Sequence, residues 1–87
     1  MTQSQSDALY LKAIDEFTDL TGYVVQIEYI TGIGFRSPMI LKTGIVIDTK
    51  RIMSAKSYVT EAHILYSDGT FDKRLVTSLF TFLMSPD

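Results

Sequence analysis

The chain has 87 residues, with eight basic and ten acidic side chains, a net charge of −2, one histidine and no cysteine. This length predicts one domain with a thin core, and the lack of cysteine excludes disulfides and thiolate metal ligands. The N-terminus lacks the features of a secretion signal, and no run reaches the roughly 18 apolar residues of a membrane helix. The sequence therefore predicts a soluble, cytoplasmic protein that contacts no membrane.

The first predicted element is an amphipathic helix over residues 7–21, which follows a flexible stretch over residues 1–6. Ser4 or Ser6 would cap its start, and Gly22 would mark its end. Its apolar side chains recur at helical spacing and should form one stripe that docks on a core. These side chains are Tyr10, Ala13, Ile14, Phe17 and Leu20.

Residues 23–84 are predicted to form about five antiparallel strands. Strict alternation of apolar side chains indicates a strand from Tyr23 to Ile30. Further strands are expected over 39–49, 58–66 and 71–76, joined by a loop over 31–38, a basic loop over 50–57 and the Asp68-Gly69 turn.

Two features of the strand region influence the fold. Gly44 lies inside the second predicted strand, where glycine is typical of a bend or bulge. The apolar segment over residues 75–84 favours a turn and a last strand, with a buried helix as the alternative. Together the elements predict an α+β, mainly β fold: an N-terminal amphipathic helix and a strongly bent sheet or small barrel.

The Gly44-Ile45-Val46 segment, the hairpin from Ile64 to Thr70 and the following Leu79 resemble the pattern of SH3-like small β-barrels. Such barrels include those of short proteins from tailed bacteriophages. The resemblance implies a non-enzymatic binding or assembly module. It would be a phage structural or host-targeting protein, located in the host cytoplasm or the virion.

The charges are unevenly distributed along the chain. Residues 1–35 carry one lysine and five acids, residues 36–60 five basic side chains and one acid, and residues 61–87 two basic side chains and four acids. The net charges of the three segments are therefore −4, +4 and −2. This alternation favours a surface of two signs that selects a protein partner or a second copy of the chain.

The residue inventory argues against an enzyme. His63 is the only histidine and lies within a predicted strand, where such a residue is usually a packed or surface residue rather than a catalyst. Asp68 is expected to close the hairpin turn and Asp48 to end its strand, and no spacing matches a metal site. We predict no catalytic residue, no metal and no cofactor, and a small enzyme with paired carboxylates is the last alternative.

A protein–protein interaction or assembly module is the leading prediction. Its contacts would come from the loop over 32–36, the basic stretch over 50–56 and the apolar C-terminal segment, with strand addition at an unpaired edge of the last strand allowing self-association. The predicted partner-binding residues are Ile33, Phe35, Arg36, Lys50, Arg51 and Lys56.

Nucleic-acid binding is the second prediction. A small barrel can place an aromatic side chain beside cations, although the acidic net charge opposes phosphate binding. The residues of this alternative face are Arg36, Lys42, Lys50, Arg51, Lys56 and Tyr58.

Overall fold

The computed structural model describes residues 1–30 and 39–87. It contains the helix α1 (Gln3–Asp15) and the strands β1 (Val24–Ile30), β2 (Met39–Ser54), β3 (Ser57–Tyr66), β4 (Phe71–Leu75) and β5 (Phe80–Met84). All pairings are antiparallel, in one sheet of order β4-β3-β2-β1-β5. The predicted class, α+β and mainly β with one N-terminal helix and five strands, is confirmed, and the sheet is not closed.

The inner face of the sheet forms the core. Along β1, Val25 and Ile27 are buried, and the flanking Tyr23 and Tyr29 pack against the same cluster. The other strands contribute buried side chains to this face in the same period of two. These include Val46, Ala62, Ile64, Tyr66, Phe80 and Phe82. The predicted alternation of the first strand is therefore confirmed.

The long strand β2 bends strongly. Its 16 residues would span about 50 Å if straight, but the longest dimension of the molecule is 35 Å. The pairing of β2 with β3 shifts between Val46 and Asp48, which makes Ile47 a bulge. At Gly44 a Cβ atom would lie 2.7 Å from the Leu65 carbonyl oxygen, so this glycine permits a close approach of two strands. The bulge thus lies just beyond the predicted bend.

The edge strands show how tightly the sheet curls. β4 and β5 lie at opposite edges, which would be about 19 Å apart in a flat five-stranded sheet. The connection from Leu75 to Phe80 reaches at most roughly 18 Å when fully extended. Because the Leu79 carbonyl also accepts a hydrogen bond from the Glu28 amide at 3.2 Å, the sheet must roll up around its inner face.

The helix begins and ends earlier than the sequence predicted. Thr2 caps it in a reciprocal capping box, because its side chain accepts from the Gln5 amide and Gln5 accepts from the Thr2 amide. Glu16 is already extended, with φ −143°. The predicted bounds 7–21 are therefore wrong, and residues 3–6 belong to the helix.

The predicted apolar stripe is only partly confirmed. Ala13 is buried and Tyr10 packs against the core, whereas Ile14 is exposed. Phe17 lies beyond the helix and is half exposed, and Leu20 reaches the core from a segment without regular secondary structure. The helix therefore covers the core with a narrower face than the spacing indicated.

Three buried hydroxyl groups attach the N-terminal segment to the sheet. Ser6 Oγ accepts a hydrogen bond from the Phe82 amide at 2.9 Å. Thr60 Oγ1 donates to the Ala13 carbonyl at 2.7 Å, and Thr49 Oγ1 accepts from the Leu20 amide at 2.9 Å. Ser6 is thus not the predicted cap but a buried link, and each hydroxyl satisfies a backbone group that would otherwise be costly to bury.

The predicted basic loop over 50–57 is wrong. β2 continues to Ser54 and β3 begins at Ser57, so that a two-residue turn joins them. Ala55 adopts a positive φ of 53° in this turn, which is typical of a tight hairpin. The pattern of basic residues thus belongs to a protruding hairpin rather than to a loop.

The remaining predictions for the C-terminal half are mostly confirmed. Asp68 accepts a hydrogen bond from the Thr70 amide at 3.0 Å and Gly69 has φ 87°, as expected for the turn. The last segment is the strand β5, not a helix. Its Phe80 and Phe82 are buried, so the prediction that this apolar segment contacts a partner is wrong for these two side chains. Among the described residues, no helix is long and apolar enough to cross a membrane.

Replacement of Ser6 by alanine should lower the free energy of unfolding by about 1–3 kcal/mol, because the buried Phe82 amide loses its acceptor. Chemical denaturation measures this loss. Ser4→Ala is the matched control, since Ser4 is exposed on the same helix and the gain in helix propensity is the same. Equal stabilities of the two variants would contradict the buried link.

Candidate functional site

An apolar row crosses the outer face of the sheet. Direct cross-strand pairs connect Phe71 to Leu65, Leu65 to Ile45, Ile45 to Val24, and Val24 to Met84. Directly paired residues of an antiparallel sheet point to the same side. We call these five residues, one from each strand, the outer row.

The outer row is accessible. Phe71 is 69% exposed, Met84 60% and Ile45 40%, whereas Leu65 and Val24 are half-buried by their neighbours. The helix packs at the core, where Ser6 and Ala13 are buried. No element among the described residues forms a second layer over the outer row.

The surroundings of the outer row are mixed. Ile47, the bulge residue, extends the apolar surface along β2 and is also exposed. Glu61 and His63 lie on the same face, with the His63 ring nitrogen 2.8 Å from the Glu61 carboxylate. Lys73 of β4 is the cross-strand neighbour of His63. The apolar surface therefore has charged groups of both signs at its border.

A second cluster lies on the inner face and joins distant strands. The Tyr29 hydroxyl of β1 donates to the Asp72 carboxylate of β4, and the Tyr66 hydroxyl of β3 donates to the same oxygen at 3.2 Å. Arg74 Nε lies 3.6 Å from that oxygen, and the guanidinium carbon lies 4.3 Å from the centroid of the Tyr29 ring. We call these four residues the inner cluster.

The contacts of the inner cluster indicate a structural role, in which they hold β1 and β4 together, rather than a binding site. Two phenols and one guanidinium already satisfy the Asp72 carboxylate, and this arrangement links β1 to β4 across the curled sheet. Arg74 Nη1 is buried without a hydrogen-bond partner in the described part of the chain. Burial, the hydrogen bond with Tyr29 and the nearby Asp72 charge raise the pKa of Tyr66. A phenol with a raised pKa stays protonated near neutral pH.

Lys42 lies beside this cluster and not with the other predicted basic residues. Its Nζ is 4.7 Å from the centroid of the Tyr66 ring and 3.2 Å from Asp68 Oδ2. Hydrogen bonds from Thr70, followed by Lys42, lower the pKa of Asp68 to about 2. The stability that this carboxylate adds is therefore present above pH 3.8 and is lost as the pH falls towards 2.

The other basic residues predicted for binding lie on the β2–β3 hairpin. Lys50 and Lys56 are exposed, and the Arg51 guanidinium carbon lies 5.9 Å from the ring centroid of the exposed Tyr58. The structure therefore brings Arg51 and Tyr58 together, with Lys56 in the adjoining turn, but places Lys50 on the opposite face across from Glu61. All of them are separated from Lys42.

The other half of the predicted partner surface belongs to the segment between β1 and β2. Ile33, Phe35 and Arg36 lie in 31–38, outside the described residues. Sequence reasoning also missed the outer row, although its members occupy positions where an antiparallel strand with one solvated face normally carries polar side chains. That excess of apolar residues was the available signal.

Comparisons with known proteins do not extend this description. No protein-family model, curated protein or solved structure matches the chain. Within residues 1–30 and 39–87, no three side chains of the types that bind metals form a group.

The raised pKa of Tyr66 predicts a loss of stability in alkali. Its pKa is near 10 when the chain is unfolded and higher in the fold, so the native state keeps the proton more tightly. This contribution is complete below pH 10 and is lost as the pH rises above that value. Urea denaturation at pH 8 and 10.5 should show a smaller alkaline loss in Tyr66→Phe than in the parent.

Tyr58→Phe is the matched control, because Tyr58 is 57% exposed. It should keep the alkaline loss of the parent protein. An identical loss in the parent and in Tyr66→Phe would show that the inner cluster does not hold the phenol in its neutral form.

Proposed function

We propose that this chain is a protein–protein interaction or assembly module and has no catalytic role. The outer row is the observation that supports the proposal, since it presents one apolar side chain from each of five strands to solvent. Contiguous exposed apolar surface is typical of protein interaction sites. The phage structural or host-targeting role that the small-barrel resemblance implies stays a prediction.

The chemistry of the outer row suits a protein partner. Burial of apolar surface contributes about 25 cal/mol per Å², and Phe71 is the most exposed large side chain of the row. Val24 and Ile45 are β-branched and lie in paired strands, so little side-chain entropy is lost when a partner covers them. Phe71 would therefore act as the anchor on a surface that is already ordered.

The charged border would provide selectivity. Glu61 and His63 lie beside the apolar surface, and Lys73 lies next to His63 across the strand pair. Charges at the rim of an interface guide association and reject wrong partners more than they add affinity. The partner is therefore expected to carry an apolar patch bordered by charges of the opposite arrangement.

Nucleic-acid binding at the β2–β3 hairpin is the second candidate. The observation in its favour is the Arg51–Tyr58 contact, with the exposed Lys56 in the adjoining turn, since stacked aromatic and cationic groups bind single strands. The exposed Lys50 lies on the opposite face, across from Glu61. Among the described residues of the predicted basic face, only those on the hairpin have no ion pair, because Lys42 pairs with Asp68. Binding of a labelled oligothymidine that weakens steeply with salt, and is lost in Tyr58→Ala, would support this candidate over the first.

The double variant Ile45→Thr, Phe71→Thr should lose its protein partner and remain folded. Both side chains are exposed, and threonine keeps the β-branched shape that strands favour. Light scattering measures self-association, and affinity purification from the source cells measures heterologous binding. We expect the parent to yield one stoichiometric partner or a defined oligomer, and the double variant neither.

Leu11→Gln provides the control for a general loss of exposed apolar surface. Leu11 is 58% exposed on α1, away from the outer row, and glutamine keeps the helix propensity. This variant should bind like the parent. Unchanged binding by the double variant would contradict the placement of the contact on the outer row.

A further inference from the structure

The two edges of the sheet differ in the backbone groups that they leave open. Hydrogen bonds between antiparallel strands run through alternate residues, and the Val76 amide donates to the Thr60 carbonyl at 3.0 Å. In the unbroken β3–β4 register, the even-numbered residues of β4 therefore face β3. The backbone groups of Phe71, Lys73 and Leu75 point away from the sheet, and no partner for them lies among the described residues.

The other edge, on β5, is largely covered. The outward amide of Phe82 donates to Ser6 Oγ at 2.9 Å, and the Leu83 carbonyl accepts from the N-terminal amine at 2.8 Å. The Phe80 amide donates to the Thr77 carbonyl at 3.1 Å. Helix α1 and its N-terminus thus occupy the groups that an added strand would need.

The open edge of β4 carries a simple side-chain pattern. Phe71 and Leu75 lie on the outer face and are 69% and 41% exposed. Lys73 lies between them on the same face, is exposed, and has no acidic side chain within ion-pair distance in the described part of the chain. The edge therefore offers two apolar positions on either side of one positive charge.

A second copy of the chain does not suit this edge. Two-fold pairing of β4 with itself centred on Asp72, Lys73 or Arg74 places that residue opposite its own copy. Like charges that face each other directly across strands are destabilising. Registers centred on Phe71 or Leu75 leave most of the five-residue strand unpaired, and pairing with β5 of another copy is blocked by α1.

We infer that β4 binds an extended segment of a different protein as a sixth strand. The segment carries an acidic side chain opposite Lys73 and apolar side chains two residues to either side of it, opposite Phe71 and Leu75. Main-chain hydrogen bonds give such complexes their affinity and alternate side chains their specificity. This inference rests on the proposed function, because the added strand would extend the outer row by one position beyond Phe71.

Selection from a displayed library of random nine-residue peptides tests the inference. We expect the parent protein to enrich an acidic residue with apolar residues at the positions two before and two after it. Lys73→Glu should enrich lysine or arginine at the centre instead. Lys12→Glu is the matched control on α1, where Lys12 is exposed, and it should select the same pattern as the parent.

Backbone methylation of one enriched peptide tests strand addition itself. N-methylation of an amide that faces β4 should weaken binding at least about tenfold, the equivalent of one lost hydrogen bond to a group left unpaired. N-methylation of the alternate amides should change affinity little. Equal effects at both sets of positions would overturn strand addition.

Three further results would also overturn the inference that β4 binds an added strand. No enrichment over the bare support, or the same pattern with the parent and Lys73→Glu, would overturn the inference. A natural partner that is lost in Ile45→Thr, Phe71→Thr but binds Lys73→Glu with parental affinity would overturn it too and leave the proposed function standing. Circular dichroism of each variant confirms that a loss of binding is not a loss of folding.

Discussion

The curl of the sheet is the constraint on which the rest of the structure depends. Only residues 76–79 join the two edge strands, so the sheet must roll up around its inner face. The bulge at Ile47 gives β2 the bend that this requires, and Gly44 allows the strands to approach. The Tyr29 and Tyr66 hydroxyls then reach the Asp72 carboxylate from different strands. These contacts fasten β1 to β4 on the concave side.

The curl also makes the two surfaces and the two edges unequal. The concave face fills with buried side chains and is closed further by α1 through Ser6. The convex face keeps an apolar row that no described element covers. At the β5 edge the N-terminal segment satisfies outward backbone groups, whereas the outward groups of Lys73 and its neighbours on β4 have no partner within residues 1–30 and 39–87. The proposed interaction module would use this difference between the two edges.

Much of the fold follows from local patterns, and the candidate site does not. The alternation around Val25 and Ile27 predicted β1, and Asp68-Gly69 predicted the hairpin, because both signals are local. The helix start was misplaced because two serines competed with Thr2, whose capping box with Gln5 decides the start. The outer row depends on which residues of five strands face one another. That register is set by long-range pairing around the Ile47 bulge, which the sequence does not display.

Residue-level amide hydrogen exchange tests the unequal edges most directly. The account predicts fast exchange at Lys73 and Leu75 on the open β4 edge, and slow exchange at Phe82, whose amide is bonded to Ser6. Arg74 serves as the internal reference, because its amide faces β3 within the same strand. Equal protection of Lys73 and Arg74 would mean that the β4 edge is already paired or covered, and would contradict the account.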